Sequence, residues 1–328
     1  MWVKTCDKME NGKMKDKAIR ILKILISCII MYLLCRRIDF EEFRGVIKTT
    51  AKDGVVIVVV AYLISTIINA VKWQVLLPKT ELSFLIGLSF RAQLYSVVLP
   101  GQLFGEASKI TAWSGRNESK ADVAASVIFD KITGLLSQII VGIIGLMFSS
   151  KAAEINNKWV IFLVLIVGCL LVYFSVEVRV AKIIRKTIDI FGIISRPLQK
   201  KLMNLYDSWC RFASKRDIMA KSFIWGFINQ AFGIIPIWYL SMRMELDVGL
   251  SEFCWINPLM SIILLLPISF AGIGLRDSSL ASMLTLFNVP VEKSLILSMS
   301  ILAGQMVAAL FGGIYALKSN VVTKNYEK

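Results

Sequence analysis

The fold is decided by the stretch Val97-Val98-Leu99-Pro100-Gly101-Gln102-Leu103-Phe104-Gly105-Glu106-Ala107-Ser108-Lys109. Pro100 has no backbone N–H, and Gly101 and Gly105 allow tight turns, so a helix that reaches this point must stop. Backbone exposed in this way survives at membrane depth only where protein or a water-filled cavity satisfies it. Pro100, Gly101 and Glu106 therefore favour a site. For Lys109, an interfacial turn with a local ion pair to Glu106, three residues earlier, is an equally good interpretation.

The composition around this break is that of a membrane protein. The chain has 328 residues, of which 56% are hydrophobic, a net charge of +15 and no histidine. The apolar fraction exceeds the roughly 45–50% typical of soluble domains. Without histidine there is no Ser-His or Cys-His nucleophile pair and no histidine metal ligand. Because no Cys-x-x-Cys and no phosphate-binding loop occur either, we expect no metal, no cofactor and no ATPase activity of the chain's own.

Apolar runs of about 20 residues, the length that spans a bilayer, predict the membrane helices. Six runs are clear: Ala18 to Cys35, Gly54 to Leu77, Val123 to Phe148, Trp159 to Val176, Met219 to Leu240 and Val291 to Leu317. Two more, Leu82 to Leu99 and Phe253 to Phe270, run into Pro-Gly or Gly-x-Gly breaks. The sequence predicts an all-α polytopic membrane protein with about six full transmembrane helices and two broken re-entrant segments.

Basic residues decide how the two broken segments are counted. Eleven Lys and Arg lie between Arg179 and Lys221, so this loop should be cytoplasmic. With the Leu82 segment entering and leaving on one side, the basic loop falls on that side, and with the Phe253 segment doing the same, so does the C-terminus. The domain organisation that follows is a cytoplasmic tail (1–17), one transmembrane domain (18–317) and a second cytoplasmic tail (318–328), in the cytoplasmic membrane.

An internal repeat agrees with this topology. A shift of 167 residues places Pro100 on Pro267, Gly105 on Gly272, Lys109 on Arg276, Gln138 on Gln305 and Gly145 on Gly312. The repeat halves are about 54–148 and 218–317, with opposite orientation. Inverted repeats of this kind are the plan of many secondary transporters, whose sites lie where the broken elements meet.

The second broken segment carries its own candidate site. In Gly272-Ile273-Gly274-Leu275-Arg276-Asp277, two glycines precede a short helix that opens with an Arg-Asp pair. A helix N-terminus with free N–H groups and a guanidinium binds a phosphate-like oxyanion well. The alternative is that Asp277 or Glu106 neutralises Arg276.

A third charged pair, Asp130-Lys131, lies about two turns into the Val123 span. Charges within a span are costly and normally have a partner. Lys131 could meet a headgroup while Asp130 holds a basic residue of a broken segment, or the pair could snorkel at the interface. Gln138 and Gln305 are buried amides that join helices or line the cavity.

The basic segment 179–217 is amphipathic. Its apolar residues recur at helical spacing: Leu198, Leu202, Leu205, Trp209 and Phe212. We expect the segment to lie on the cytoplasmic surface against anionic lipid. A nucleic-acid role would leave the apolar stripe exposed, so nucleic acid is not an expected partner.

On these motifs the chain resembles the transmembrane domain of lysylphosphatidylglycerol synthases and their stand-alone flippase-like relatives. The similar features are Pro-Gly-x-x-x-Gly-Glu (from Pro100), the Asp130-Lys131 pair and Gly-x-Gly-x-Arg-Asp (from Gly272). Lys131, Asp277 and Ala271 depart from arginine, glutamate and glycine, respectively, in the family pattern. The aminoacyl-transferase half of the two-part synthases is absent, so synthase activity is not expected.

The resemblance implies translocation of a phospholipid or a polyprenyl-linked lipid between leaflets. The alternatives are a membrane-embedded transferase acting on lipid-linked sugars, with Glu106 or Asp130 as base, and a non-catalytic scaffold for an envelope-assembly complex. A further copy of the chain, in a homo-oligomer, is a possible partner. The candidate translocation residues are Pro100, Gly101, Gly105, Glu106, Lys109, Asp130, Lys131, Gly272, Gly274, Arg276 and Asp277, with Gln138 and Gln305 as a second tier.

Overall fold

The computed structural model describes residues 52–99, 102–113, 118–149, 196–264, 269 and 271–326, and isolated positions at 159, 163, 166–167, 185–186 and 188–189. All regular structure in these residues is helical. The first half contains α1 (Lys52–Gln74), α2 (Leu82–Val98), α3 (Gln102–Thr111) and α4 (Lys120–Phe148). After α5 (Arg196–Ala213), the second half contains α6 (Arg216–Arg243), α7 (Leu250–Leu264), α8 (Leu275–Leu284), a 3₁₀ turn (Thr285–Phe287) and α9 (Val291–Tyr326).

Four of the described helices, α1, α4, α6 and the Val291–Ala316 part of α9, are long and apolar enough to cross a membrane. They correspond to four of the six predicted spans. The other two predicted spans, Ala18 to Cys35 and Trp159 to Val176, lie outside the described residues, apart from single positions of the second. The chain is a multi-pass membrane protein.

Both broken segments fold into short antiparallel helical hairpins. In the first hairpin (α2 and α3), Gly105 lies against Ala92 and Ser96 near the tip, and Phe84 contacts Trp113 at the base, with ring centroids 5.5 Å apart. In the second (α7 and α8), Trp255 contacts Phe287 at the base, at 6.1 Å. Leu99 ends α2 with extended backbone because the residue before a proline avoids the helical region.

The two halves therefore repeat the same order of long helix, hairpin and long helix, and they pack against each other in reverse. Gly54 of α1 lies against Leu240 near the end of α6, whereas Ser65 donates a hydrogen bond to Asn229 at 2.7 Å, so α1 and α6 run antiparallel. Because α1 and α6 are the first long helices of their halves and run antiparallel, the rotation axis that relates them is perpendicular to both. Two halves with opposite orientation in a membrane require an axis of this kind.

Glycines make the matching crossings between the halves possible. Gly145 of α4 approaches Ser251 and Cys254 of α7, and its repeat equivalent, Gly312 of α9, approaches Phe90 and Arg91 of α2. A side chain at either position would collide with backbone atoms of the facing helix. Each hairpin is therefore held by the last long helix of the other half.

Two apolar clusters mark the opposite ends of the molecule. One surrounds the base of the first hairpin and includes Trp73, Leu85, Trp113 and Phe129. The other surrounds the base of the second hairpin and includes Leu240, Phe253, Trp255 and Leu284. The bases of the two hairpins therefore lie at opposite ends of the molecule.

Helix α5 packs on the protein at the end of the first hairpin. The rings of Trp209 and Phe212 lie 5.2 and 5.9 Å from that of Phe129 in α4. Asp122, in the first turn of α4, accepts hydrogen bonds from Ser208 at 2.7 Å and from Arg211. Two residues of the apolar stripe, Trp209 and Phe212, therefore pack on α4, and the contact of this segment with anionic lipid stays a prediction.

Candidate functional site

A cavity of about 140 Å³ lies between the two halves, next to the second hairpin. Its walls come from α1, α6, α7, α8 and α9 and are mostly apolar. Its polar lining residues are Tyr62, Asn257, Ser261 and Arg276. A mainly apolar pocket with a few convergent polar groups is the usual form of a ligand site.

Arg276 reaches this cavity because of the turn before α8. Ala271, Gly272 and Gly274 have φ angles of +54°, +78° and +79°, which reverse the chain after α7. A Cβ atom on Gly272 would lie 3.0 Å from Nη2 of Arg276 and 3.2 Å from Cδ2 of Leu264. Glycine is therefore needed at 272 both for its backbone conformation and for the space that the guanidinium occupies.

The guanidinium of Arg276 is buried, with the residue only 4% exposed, and is only partly satisfied by the protein. Nη2 donates to the Ala271 carbonyl oxygen at 2.9 Å and to Oε1 of Gln305 at 2.8 Å. Among the described residues, these two are its side-chain hydrogen bonds and no carboxylate lies within 4 Å of it, while Asp277 interacts with it electrostatically from farther away. Within that part of the chain, the Nε–H and the two Nη1 hydrogens remain for a ligand.

Asp277 stabilises the turn instead of neutralising Arg276. Its Oδ2 accepts from the Gly274 N–H at 2.8 Å, and its Oδ1 accepts from the Ser298 hydroxyl at 2.5 Å. The Arg276 N–H donates to the Gly272 carbonyl oxygen at 2.8 Å. The expectation of free N–H groups at the start of α8 is thus wrong for Gly274 and Arg276, and an oxyanion here would depend on the guanidinium.

A second charged cluster lies beside the first hairpin and is built on a residue that sequence reasoning missed. Lys72, 2% exposed near the end of α1, places Nζ 3.2 Å from Oδ1 of Asp130 and donates to the Asp130 backbone oxygen at 2.6 Å. The ion-pair partner of Asp130 is therefore Lys72 of the long helix α1, and not a basic residue of a broken segment. A lysine within an apolar span is itself a signal for a function or a partner, and could have been found.

The same cluster contains the ion pair expected within α3. Lys109 Nζ lies 2.8 Å from Oε2 of Glu106 and 4.9 Å from the ring centroid of Trp73. Half-buried Lys131 is close enough to Glu106 and Lys72 to interact electrostatically with both. Three lysines thus face two carboxylates, and each carboxylate is held by a lysine.

Tyr62 lies between the charged cluster and the cavity. It is half-way along α1, donates a hydrogen bond to Oε1 of Gln93 at 3.1 Å, and interacts electrostatically with both Arg276 and Glu106. One charged residue of each hairpin, Glu106 and Arg276, is therefore near Tyr62, half-way along α1. Tyr62 was not predicted as a site residue, since a tyrosine in an apolar run carries no distinguishing sequence signal.

The remaining predicted residues fall into three groups. Pro100 and Gly101 lie outside the described residues. Gly105 allows α3 to pack closely on α2. Gln138 joins α4 to α7 by donating to the Ser261 hydroxyl at 2.7 Å, whereas Gln305 holds Arg276. Within the described part of the chain, no group of three or more Cys, Asp or Glu residues could hold a metal ion.

Comparison with known proteins gives one match. A family model described as the lysylphosphatidylglycerol synthase TM region matches residues 20–311. No curated protein and no solved structure matches the chain. The matched range includes both hairpins, the charged cluster and the cavity.

Proposed function

Because the chain belongs to the family of the lysylphosphatidylglycerol synthase transmembrane region, we propose that it translocates a lipid headgroup between the two leaflets of its membrane. Family membership itself implies a lipid-related function in a membrane. Translocation is the specific step of the proposal, and it uses no ATP hydrolysis by this chain.

The observation that carries the proposal is the partly unsatisfied Arg276 guanidinium in the cavity between the halves. A buried guanidinium without an ion-pair partner costs free energy, so it is expected where a ligand supplies the counter-charge. Its fork of donors matches the oxygens of a phosphate group. The apolar remainder of the wall, from α6 and α7, suits the start of an acyl or prenyl chain.

The arrangement of the hairpins supports movement of that ligand between two sides. Their bases lie at opposite ends, and Glu106 of one and Arg276 of the other both interact electrostatically with Tyr62, which suits transporters whose broken helices meet at the midplane. Relative tilting of the two halves would then expose the cavity to each leaflet in turn.

Charge supports the orientation in which the base of the first hairpin, α5 and both termini are cytoplasmic. The end with α5 has an excess of Lys and Arg, including Lys120, Arg211, Lys215 and Arg216. At the opposite end, acidic residues outnumber basic ones: Asp53, Glu245, Asp247, Glu252 and Glu292 against Lys52, Arg243 and Lys293. Positive charge collects on the cytoplasmic side of membrane proteins.

The transferase alternative receives less support from the geometry. It needs Glu106 or Asp130 as a general base, and a base must be free to accept a proton from the substrate. Lys109 holds the first carboxylate and Lys72 the second.

Two glycines allow a matched test. A Cβ atom at Gly233, which lines the cavity, or at Gly313, which does not, would meet no atom within 4 Å. We expect Gly233→Leu to fill the cavity and to slow translocation at least tenfold, and Gly313→Leu to leave it unchanged. The assay is dithionite quenching of phosphatidylglycerol labelled with NBD on an acyl chain, in proteoliposomes.

Arg276→Gln completes the test, because it keeps a polar side chain in the cavity and removes the charge. We expect translocation to fall at least tenfold while the thermal unfolding temperature in detergent is retained. Wild-type rates in both Gly233→Leu and Arg276→Gln proteoliposomes would refute the proposal.

A further inference from the structure

One arginine of the first hairpin belongs neither to the cavity nor to the charged cluster. Arg91 lies in the middle of α2, within an apolar helix, and it is not among the residues that line the cavity. A charge within a membrane segment is costly and normally faces a partner or water. We propose that Arg91 binds the phosphodiester of a membrane phospholipid, at a site on the lipid-facing wall of the protein between α2 and α9.

The protein itself provides Arg91 with little compensation. Its Nη2 donates to the Tyr95 hydroxyl at the long distance of 3.4 Å, and its Cζ lies 5.6 Å from the centroid of the same ring. Among the described residues, no carboxylate lies within 4 Å of Arg91, and its buried Nε has no acceptor. In the same part of the chain, Nη1 has no acceptor either, and it is not buried. The charge and the Nη1 donors thus remain for a group from outside the chain.

Two tyrosines flank the guanidinium on one face of α2. Tyr95 follows Arg91 by one helical turn, and the ring of Tyr315 from α9 lies over Gly87, one turn before Arg91. Tyr315 also interacts electrostatically with Arg91. Within the part of the chain that the structure describes, neither tyrosine hydroxyl donates a hydrogen bond. An arginine between two such hydroxyls can offer several donors to the oxygens of one phosphate.

The depth of Arg91 in the membrane suits a headgroup. Its Cα lies against Gly312 of α9, and the apolar span of α9 ends four residues later, at Ala316. At 1.5 Å per residue, this distance is about 6 Å along the helix. Long arginine side chains extend toward the membrane surface over such distances, and tyrosines are enriched at both interfaces. The guanidinium can therefore meet the phosphate layer of the leaflet on the side of α5.

An exposed apolar surface continues from Arg91 toward the middle of the membrane. The ring of Phe90 lies 5.8 Å from that of Phe311 in α9. Phe311 and Leu310 are 50% and 69% exposed, and they precede Gly312, so they lie deeper than the crossing at Arg91. The acyl chains of a lipid bound through its phosphate would cover this surface. A free phosphate would leave the surface uncovered, so the arrangement fits a phospholipid.

Photolabelling tests the site without any transport step. The probes are phosphatidylglycerol and diacylglycerol that carry the same diazirine-bearing acyl chain, in nanodiscs with the purified protein. Because only the first has a phosphate, we expect it to label residues 310–314 at least about fivefold more than the second. Equal labelling by the two probes, or no labelling of this segment by either, would overturn the proposal.

Variants of Arg91 identify the cation. We expect Arg91→Gln to lower labelling of the segment by the phosphatidylglycerol probe at least about fivefold, and Arg91→Lys, which keeps the charge, to retain about half or more. Arg243→Gln removes an exposed arginine at the end of α6 and controls for the general loss of one positive charge. Undiminished labelling in Arg91→Gln would refute the site.

A double variant tests the site while the charge remains. Tyr95→Phe with Tyr315→Phe keeps both rings and removes both hydroxyls, so we expect labelling to fall about threefold while the thermal unfolding temperature is retained. A second copy of the chain is the other possible cover for this face. Chemical cross-links between two α9 helices, together with exclusion of both lipid probes from the wild type, would also overturn the proposal.

Discussion

The two hairpins share one backbone plan but treat their cations differently. The shift of 167 residues matches Lys109 with Arg276, although Lys109 lies in the last turn of α3 and Arg276 in the first turn of α8. Lys109 is paired with Glu106, one turn earlier on α3, whereas Ile273 stands at the equivalent place before Arg276. The difference between the ion-paired Lys109 and the unpaired Arg276 thus comes from one carboxylate, that of Glu106. Arg276 has no such neighbour and remains available to a ligand.

Near Tyr62, the first hairpin is thus the region that ion pairs stabilise, and the second hairpin is the region suited to binding a ligand. The Lys72–Asp130 ion pair joins α1 to α4, and Lys109, paired with Glu106 within α3, lies over the Trp73 ring of α1. The unpaired guanidinium in the second hairpin lowers the stability of the folded protein, which is common at ligand sites. The predictions below test whether this asymmetry is real.

The largest effect is expected from removing the partner of the most buried cation. We expect Asp130→Ala to lower the free energy of unfolding by about 3–5 kcal/mol, because it leaves Lys72 charged and buried. Thermal and denaturant unfolding in detergent measure this. The double variant Lys72→Met with Asp130→Leu should recover most of the loss. If it is as unstable as the single variant, the pair does not act as described.

The next effect concerns the turn that presents Arg276. We expect Gly272→Ala to cost about 2 kcal/mol, because alanine is strained at a φ of +78° and its Cβ crowds the guanidinium. Unfolding and phosphatidylglycerol binding should both weaken. Gly313→Ala is the matched control, since its Cβ meets open space away from the cavity. Equal stability of the two variants would show that the turn conformation is not required.

A carboxylate added to the second hairpin should make it resemble the first. Leu264 lies beside Gly272 and the Arg276 guanidinium, so we expect Leu264→Glu to pair with that arginine. Dihexanoyl-phosphatidylglycerol binding, measured by isothermal titration calorimetry, should weaken about tenfold, or about 1.4 kcal/mol. Leu264→Gln, of nearly the same shape, controls for polarity. An equal loss in both variants would contradict the charge argument.

The smallest effect is a gain in stability. Ala271 has a φ of +54°, which costs an alanine roughly 1–2 kcal/mol, and glycine recovers part of it after its larger unfolded-state entropy is counted. We therefore expect Ala271→Gly to raise the free energy of unfolding by about 0.5–1 kcal/mol. Ala281→Gly, inside α8, should lower it by a similar amount. Destabilisation of both variants would mean that Ala271 is not strained.

Sequence reasoning predicted the helical architecture well. Long apolar runs predicted the spans that became α1, α4, α6 and α9, and the helix breakers predicted both hairpins. The repeat shift matches Gly145 with Gly312, and each lies against the first helix of the hairpin in the other half. These features depend on local chemistry, namely hydrophobic length and the limits that proline and glycine place on the backbone.

The partners of the charged residues could not be predicted in the same way. One interpretation of the sequence pairs Asp130 with a basic residue of a broken segment, but Asp130 forms its ion pair with Lys72. Another has Asp277 neutralise Arg276, but Asp277 accepts a hydrogen bond within its own turn. Lys72 and Asp130 are 58 residues apart, and Arg276 and Gln305 are 29 apart. Their contacts depend on how each helix is rotated about its own axis. The hydrophobic pattern of a membrane helix indicates little about that rotation.

The sequence by itself thus determined which segments cross the membrane, where the chain breaks and which polar residues are expensive to bury. Only the tertiary structure decided which of those residues compensate one another. The charges of Lys72 and Lys109 are neutralised by carboxylates. Arg276 donates hydrogen bonds only to a carbonyl and an amide oxygen, so its charge faces the cavity without being neutralised by them. The physical reason is that insertion energy is set residue by residue, whereas the neutralisation of a buried charge requires two atoms from different parts of the chain to lie within a few ångströms.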